Sequence, residues 1–369
     1  MRYRIRHRTS YAYAREVFES FNEVRLQPLA CATQTLIDFD LVIEPPATVI
    51  AFRDYYGNAV HDFGVPYLHD RLVIEATSDV VTHVGADEPL GGPAEGEPDR
   101  SIPLTALAAD EGFADEFAEF CGASSYIVLT DASHQIAHDL LAAQPGLSAL
   151  AYLNKAAAQV RSRLEYQLGT TNVNSSVAEV LEGGSGVCQD FAHVLISLCR
   201  NVGLPARYVS GYLGTVGEST ASHAWAEAYV PPYGWIGVDA TVGTLCTGRH
   251  VKVGIGRDYA DVSVLRGTYQ GGGEATLDVQ VTCEAIGGDD AAEQLRGGSV
   301  PIARLVAIQN LGAMRQFQRG TAMTPAMGAA APIHALDEMP PPRAQRCSGD
   351  AVPTEQPRQQ QQHRLLEPS

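Results

Sequence analysis

One cysteine of this chain lies where a glycine-rich loop gives way to a helical pattern. The loop is Gly183-Gly184-Ser185-Gly186-Val187, and Cys188 follows it directly. Apolar residues then recur at three- and four-residue steps, at Phe191, Val194, Leu195 and Leu198. This period predicts one buried face of a helix. The first N–H groups of a helix carry partial positive charge, which favours a thiolate and can receive a developing oxyanion. Cys188 is therefore a candidate nucleophile.

Two neighbours of this cysteine are candidates for contact with a substrate. Gly186 has no side chain, so it would let a substrate backbone approach closely. Gln189 could donate its side-chain amide to an oxyanion, and a structural role is the alternative. We expect Asp190 to act as a first-turn acid that stabilises the helix dipole, because a carboxylate against the sulfur would oppose thiolate formation. His193 is on another face and is interpreted as a packed histidine.

A candidate base and its orienting carboxylate lie in a predicted hairpin. Period-two alternation places His223 and Trp225 on one face of the first strand, and Asp239 lies on the second strand, beyond a Pro-Pro-Tyr-Gly turn. The side chains of His223 and Asp239 would meet diagonally near the open end. An imidazole could take the proton of Cys188, and a carboxylate would fix its tautomer. The alternative is an ordinary structural His–Asp pair, while Trp225 walls either the cleft or the core.

Four motifs resemble those of the bacterial transglutaminase-like proteins, members of the papain-like cysteine-nucleophile superfamily. They are Gly186–His193, Ala206–Tyr212, His223-Ala224-Trp225 with Glu227, and Gly234-Trp235 with Gly237, Asp239 and Thr241. Arg257–Gly267 and the first residues resemble other parts of the same family, so the resemblance covers about residues 1–285. It implies a catalytic triad of Cys188, His223 and Asp239.

Composition is that of a globular protein with room for two domains. The chain has 369 residues, of which 45% are hydrophobic and 19% charged. A net charge of −17 argues against nucleic acid or an anionic membrane surface as partner. No apolar run approaches the ~18 residues of a membrane span, and no apolar segment follows the basic N-terminus. Seven cysteines without framework spacing favour a reducing compartment, so we expect a cytoplasmic protein.

The predicted fold class is α+β, with a β-sandwich-like N-terminal domain followed by a papain-like core in which the nucleophile helix packs on an antiparallel sheet. Residues 1–85 form the β-rich domain, 86–103 a linker, 104–286 the catalytic core and 287–369 a largely disordered tail. Strands are predicted over 3–13, 21–29, 35–43, 49–53, 59–65 and 71–84, and in the core over 206–214, 223–230, 235–241 and 275–285. Helices are predicted over 104–121, 131–143 and 147–165, before the Cys188 helix.

These residues predict acyl transfer at a peptide or carboxamide bond through a thioester of Cys188. The expected substrate is a protein or peptide, and water is the favoured acceptor, which makes a cysteine peptidase or amidase. A primary amine as acceptor, which makes a transglutaminase, is the alternative, and a non-enzymatic binding protein with a vestigial cleft is another. No cofactor or metal is expected, because a metal site of Cys188, His193 and His223 lacks ligand spacing and a fourth ligand.

Overall fold

The computed structural model describes residues 1–94, 96–171, 175–214 and 222–286. Its first part is an antiparallel sheet built on one long strand, β1 (Arg2–Val24). Alternate side chains of β1 are buried from Tyr3 to Tyr13, with Arg2, Arg4 and Arg6 exposed between them, as a strand with one solvated face requires. Four strands follow, β2 (Gln34–Glu44), β3 (Val49–Arg53), β4 (Ala59–Val65) and β5 (His69–Thr82).

The two strands predicted over 3–13 and 21–29 are a single strand that changes partners. The first half of β1 pairs with β5 from Arg2↔Val81 to Ala12↔Arg71, and the second half pairs with β4 from Ser20↔Val65. The register shifts between these stretches, and Glu19 has a φ of 48°. Such irregularities bend a strand without ending it, so the sheet curls around its own buried face.

Seven helices lie in the middle of the described chain. They are α1 (Leu104–Ala108), α2 (Glu111–Glu116), α3 (Ala118–Cys121), α4 (Asp131–Ala143), α5 (Ala149–Arg163), α6 (Val177–Gly183) and α7 (Cys188–Arg200). The predictions over 131–143 and 147–165 are confirmed. The single helix predicted over 104–121 is instead three short ones, because the Asp110 side chain accepts the Phe113 N–H and caps a new helix.

A second antiparallel sheet carries the predicted hairpin. Its strands are β8 (Ala206–Leu213), β9 (Ser222–Val230), β10 (Gly234–Asp239), β11 (Thr244–Leu245) and β12 (His250–Gly256), in the order β11-β10-β9-β8-β12. The small side chains of Ala224, Ala226 and Ala228 belong to the same buried cluster as α7. They let α7 pack on this face of the sheet, and every residue of α7 is buried. Two short strands, β6 (Glu165–Tyr166) and β7 (Ser185–Gly186), pair in parallel beside the start of α7.

The strand predicted over 275–285 belongs to the first sheet and not to the catalytic sheet. It is β14 (Ala275–Ala285), which pairs with β1 from Tyr3↔Ala285 to Tyr13↔Ala275. The preceding strand, β13 (Leu265–Gly271), pairs with the second half of β1. Alternation identifies a strand but not its partner, which accounts for the error. The α+β class is confirmed, and the sandwich-like region takes the form of one curled antiparallel sheet of seven strands.

The first sheet and its loops also protect an edge of the second. At Lys252 on β12, the backbone N–H donates to Gln34 Oε1 (2.8 Å) and the carbonyl accepts from Gln34 Nε2 (2.7 Å). At Ile255, the N–H donates to Asn58 Oδ1 and the carbonyl accepts from Asn58 Nδ2, both at 2.8 Å. Both amides are buried, at 1% and 0% exposure. Each amide bonds to the edge backbone as a neighbouring strand would.

The segment between the two sheets, predicted as a linker over 86–103, is irregular and partly packed. Ala86 and Leu90 are buried, and the Leu90 N–H donates to the Cys246 carbonyl at 2.8 Å. The tail predicted over 287–369 lies outside the described residues. Over the described ranges, no helix has the length and apolar character that crossing a membrane requires.

Candidate active site

Cys188 is the first residue of α7 and is fully buried. The turn before it is closed by Asp190, whose Oδ2 accepts the Val187 N–H (2.8 Å) and the Thr171 hydroxyl (2.6 Å). Burial raises the pKa of Asp190 to about 6, although both hydrogen bonds oppose that shift. Asp190 therefore supports the start of the helix from inside the protein, close to the role expected of a first-turn acid.

Gly186 is required by this arrangement. A Cβ atom at Gly186 would lie 2.7 Å from Asp190 Oδ2, closer than any real contact allows. Its carbonyl accepts the Gln167 N–H at 3.0 Å within the β6–β7 pairing. The structure thus places Gly186 against Asp190, and its contact with a substrate stays a prediction.

His223 and Asp239 meet as the hairpin register predicts. Val238 pairs with Ala226, which sets Asp239 two residues short of the position opposite His223. The two side chains reach each other diagonally, with 2.6 Å between His223 Nε2 and Asp239 Oδ2, and both are buried. Asp239 Oδ1 accepts the backbone N–H (2.9 Å) and the hydroxyl (2.6 Å) of Thr241. The carboxylate is thereby held at both oxygens.

Cys188 completes the group, because its side chain forms a hydrogen bond with His223. Burial alone would lower the pKa of His223, but the charges of Asp239 and Cys188 and the hydrogen bonds to both raise it well above its ordinary value of 6.5. Burial would raise the pKa of Asp239, and the paired His223 overrides burial and lowers it. Since Nε2 of His223 bonds to Asp239, Nδ1 is the nitrogen left for the thiol. With Asp239 at one ring nitrogen and the Cys188 thiol at the other, His223 is placed to exchange a proton with the sulfur.

A small pocket lies beside His223. Its lining residues are Gln189, Tyr208, Ser210, Ser222, His223, Ala224, Tyr259 and Val264. Gln189 therefore reaches the position expected of a substrate-contacting residue, and its role there remains a prediction. Among these lining residues there is no carboxylate, lysine or arginine, so the pocket suits a neutral polar group.

Trp225 does not line this pocket. It is 1% exposed and belongs to a buried cluster with Leu29, Leu90 and Cys246. Its neighbours Ala224 and Ala226 belong to the buried cluster of α7, whereas Trp225 packs with residues from the loop after β1 and from the 86–103 segment. The structure therefore places Trp225 in the core, and corrects its assignment as a substrate-binding residue. His193 packs between the rings of Tyr126 and Tyr208, as interpreted from the sequence.

Sequence reasoning missed two neighbours of the site. His250 Nε2 lies 3.4 Å from Asp239 Oδ2, on a strand that was not predicted. Tyr166 on β6 forms a hydrogen bond with the Cys188 backbone, and burial raises its pKa far above the ordinary value of 10. His250 lies on a buried strand that was not predicted, and Tyr166 lies on a strand of only two residues. Thr241, which also contacts Asp239, was not missed, because it belongs to the fourth motif that resembles the family.

The nitrogens of His223 and His250 and an oxygen of Asp239 lie within 4.8 Å of one another, as metal ligands would. However, the 2.6 Å between His223 and Asp239 is a hydrogen-bond distance, and a shared proton fits there where a metal ion does not. In the metal site considered from the sequence, His193 Nε2 accepts the Tyr259 N–H at 3.3 Å. The contact of His223 therefore fits proton transfer, and that of His193 fits a structural role, better than metal coordination.

Comparison with known proteins agrees with this architecture. The transglutaminase-like superfamily matches residues 135–240, and the bacterial transglutaminase-like N-terminal region matches residues 3–81. An uncharacterised protein of Mycobacterium leprae is 34% identical over 287 residues, covering 76% of this chain and 97% of its own. The chain therefore belongs to the transglutaminase-like superfamily, with the bacterial N-terminal region of that family.

Two further comparisons concern proteins whose names mention an enzyme class. The crystal structure of a candidate cysteine protease from Cytophaga hutchinsonii matches with a TM-score of 0.60 and 22% identity, covering 78% of this chain and 92% of that one. At that identity the match shows a shared fold. A protein-glutamine gamma-glutamyltransferase of Pseudomonas aeruginosa is 37% identical over 68 residues, which are 15% of this chain and 10% of that protein.

Proposed function

We propose that this protein is a cysteine-nucleophile enzyme that transfers an acyl group from a peptide or carboxamide bond, with water as the acceptor. The observation that carries the proposal is the position of His223, bonded through Nε2 to Asp239 at 2.6 Å and hydrogen-bonded to Cys188. A base between a thiol and a carboxylate is the arrangement that activates a sulfur nucleophile.

In the proposed reaction, the Cys188 proton moves to Nδ1 of His223 and the thiolate attacks the substrate carbonyl carbon. N–H groups at the start of α7 stabilise the negative charge that develops on the carbonyl oxygen. The imidazolium then protonates the leaving nitrogen, the C–N bond breaks, and a thioester on Cys188 remains. Asp239 stabilises the imidazolium throughout and fixes its tautomer.

Water then attacks the thioester, and His223 takes its proton and returns it to the sulfur. The acid is released and the thiol is regenerated, so atoms and charge balance without a cofactor. The neutral polar pocket beside His223 supports a substrate whose scissile group is an amide. The name of the Cytophaga hutchinsonii neighbour as a candidate cysteine protease agrees with a hydrolytic outcome.

A primary amine as acceptor is the second candidate, favoured by the match to a gamma-glutamyltransferase. The same thioester serves both reactions, and the acceptor alone decides between cleavage and crosslinking.

The test is turnover of peptides and unfolded proteins, with and without a dansylated alkylamine, followed by mass spectrometry. We expect cleaved or deamidated products that Cys188→Ala abolishes. The matched control is Cys199→Ala, which removes a buried thiol from the same helix and should leave turnover intact. Amine-labelled products in place of hydrolysis would establish the transferase. Equal turnover by Cys188→Ala and the parent would refute both forms of the proposal.

A further inference from the structure

The Asp239 carboxylate has a second imidazole partner besides His223. His250, on β12, directs Nε2 at the same oxygen, Oδ2, from 3.4 Å. The ring is buried and packs edge-on against Trp225, with 5.2 Å between ring centroids. Two imidazoles from different strands thus converge on one carboxylate oxygen.

Backbone contacts indicate which nitrogen of His250 carries its proton. Nδ1 lies 3.0 Å from the Thr247 nitrogen, whose N–H can only donate, and 3.3 Å from the Thr247 carbonyl oxygen, which already accepts the His250 N–H at 2.9 Å. The shorter contact makes Nδ1 an acceptor. The proton then resides on Nε2 and points at Asp239. His250 is therefore oriented as a hydrogen-bond donor to the carboxylate, and its own strand and the loop before it hold it there.

We propose that His250 is a positioning residue for the Cys188–His223 pair, acting by holding Asp239 Oδ2 where His223 needs it. Thr241 holds Oδ1 through two bonds, so the position of Oδ2 depends on its contacts with His223 and His250. The Nε2–H of His250 supplies a constraint on Oδ2 that is independent of His223. Catalytic hydrogen bonds that are long in an unliganded enzyme tighten when charge develops, as it does when His223 becomes an imidazolium.

Other charged and titratable groups near the pair have separate roles. Those that face Asp239 and His223 are Cys188 from α7, Tyr166 from β6, Cys246 after β11, and His250. Glu227 on the same face of β9 is bonded to Lys252 and Arg207. Within the described residues, three side chains therefore bond to the Asp239 carboxylate: His223, Thr241 and His250.

This inference rests on the proposed function, and its test needs no substrate. The measurement is the rate at which iodoacetamide alkylates Cys188 between pH 5 and 9, read by peptide mass spectrometry. His250→Phe keeps a ring against Trp225 and removes the donor, whereas His250→Gln keeps a donor. Cys246→Ala is the control, because it loosens the same cluster without touching the Asp239 hydrogen bonds.

We expect His250→Phe to slow alkylation at pH 6 about tenfold, which corresponds to one hydrogen bond to a charged group. His250→Gln should stay within about threefold of the parent, and Cys246→Ala should lower the melting temperature with the pH profile unchanged. Equal rates for His250→Phe and the parent, or equal losses in His250→Phe and Cys246→Ala, refute the positioning role. Should His250→Phe not fold, slow alkylation of a folded His250→Gln refutes it as well. A parent whose Cys188 reacts no faster than Cys121 refutes the proposed function itself.

Discussion

The strongest stability prediction concerns Asn58, whose side chain stands in for a strand beside β12. Its amide satisfies both the N–H and the carbonyl of Ile255, each at 2.8 Å, in a fully buried position. Asn58→Ala removes both partners and leaves the N–H and the carbonyl of Ile255 unpaired in the interior. A buried polar group without a partner costs about 1–3 kcal/mol. The expected loss is therefore about 2–6 kcal/mol in the free energy of unfolding.

The assay is urea unfolding at equilibrium, monitored by fluorescence and circular dichroism so that two-state behaviour can be checked. Gln280→Ala is the control, since it also converts an amide to alanine but on an exposed part of β14, next to Asp278. It should change the free energy by less than about 0.5 kcal/mol. If Asn58→Ala is destabilised no more than Gln280→Ala, Asn58 does not satisfy the edge and the reasoning is wrong.

Three further predictions concern the site. Asp239→Asn should lower kcat about 10²- to 10⁴-fold with KM nearly unchanged, because the imidazolium loses its counter-charge, and steady-state kinetics on any substrate found will show it. His223→Ala should abolish the alkylation of Cys188 at pH 6 while Cys121 reacts as before, as peptide mass spectrometry can measure. The raised pKa of Asp190, about 6 when folded against an ordinary 3.8, favours the folded state at low pH, and this advantage is lost as pH rises through that range. The parent should therefore lose ~2 kcal/mol relative to Asp190→Asn between pH 4 and 7, measured by urea unfolding at each pH.

The sequence was most informative where residue types and local period agree. Thr130 caps α4 and the apolar period continues to its end, so the helix over 131–143 could be predicted to the residue. Cys188, His223 and Asp239 were found because the chemistry of a thiol nucleophile demands those types and the hairpin register sets their spacing. The structure brings all three together.

The features that the sequence did not predict depend on contacts between distant segments of the chain. The strand β12 was not predicted although Val251, Val253 and Ile255 alternate along it, and alternation alone could not have placed His250 beside Asp239. The partner of β14 was misassigned because alternation over 275–285 is equally compatible with either sheet. Trp225 was ambiguous for the same reason, since the face of β9 that it occupies is covered by residues more than a hundred positions earlier in the chain.

The partners of β1 have a consequence for how the protein is made. The ribosome makes this strand before the rest of the sheet, and two of its partners, β13 and β14, are synthesised about 260 residues later. At ~5–20 residues per second, the wait is about 15–50 s. Until then many backbone N–H and C=O groups of β1 lack these partners, and they can pair with another nascent chain. We therefore expect a chain truncated before Leu265 to aggregate even though Cys188, His223 and Asp239 are all present in it.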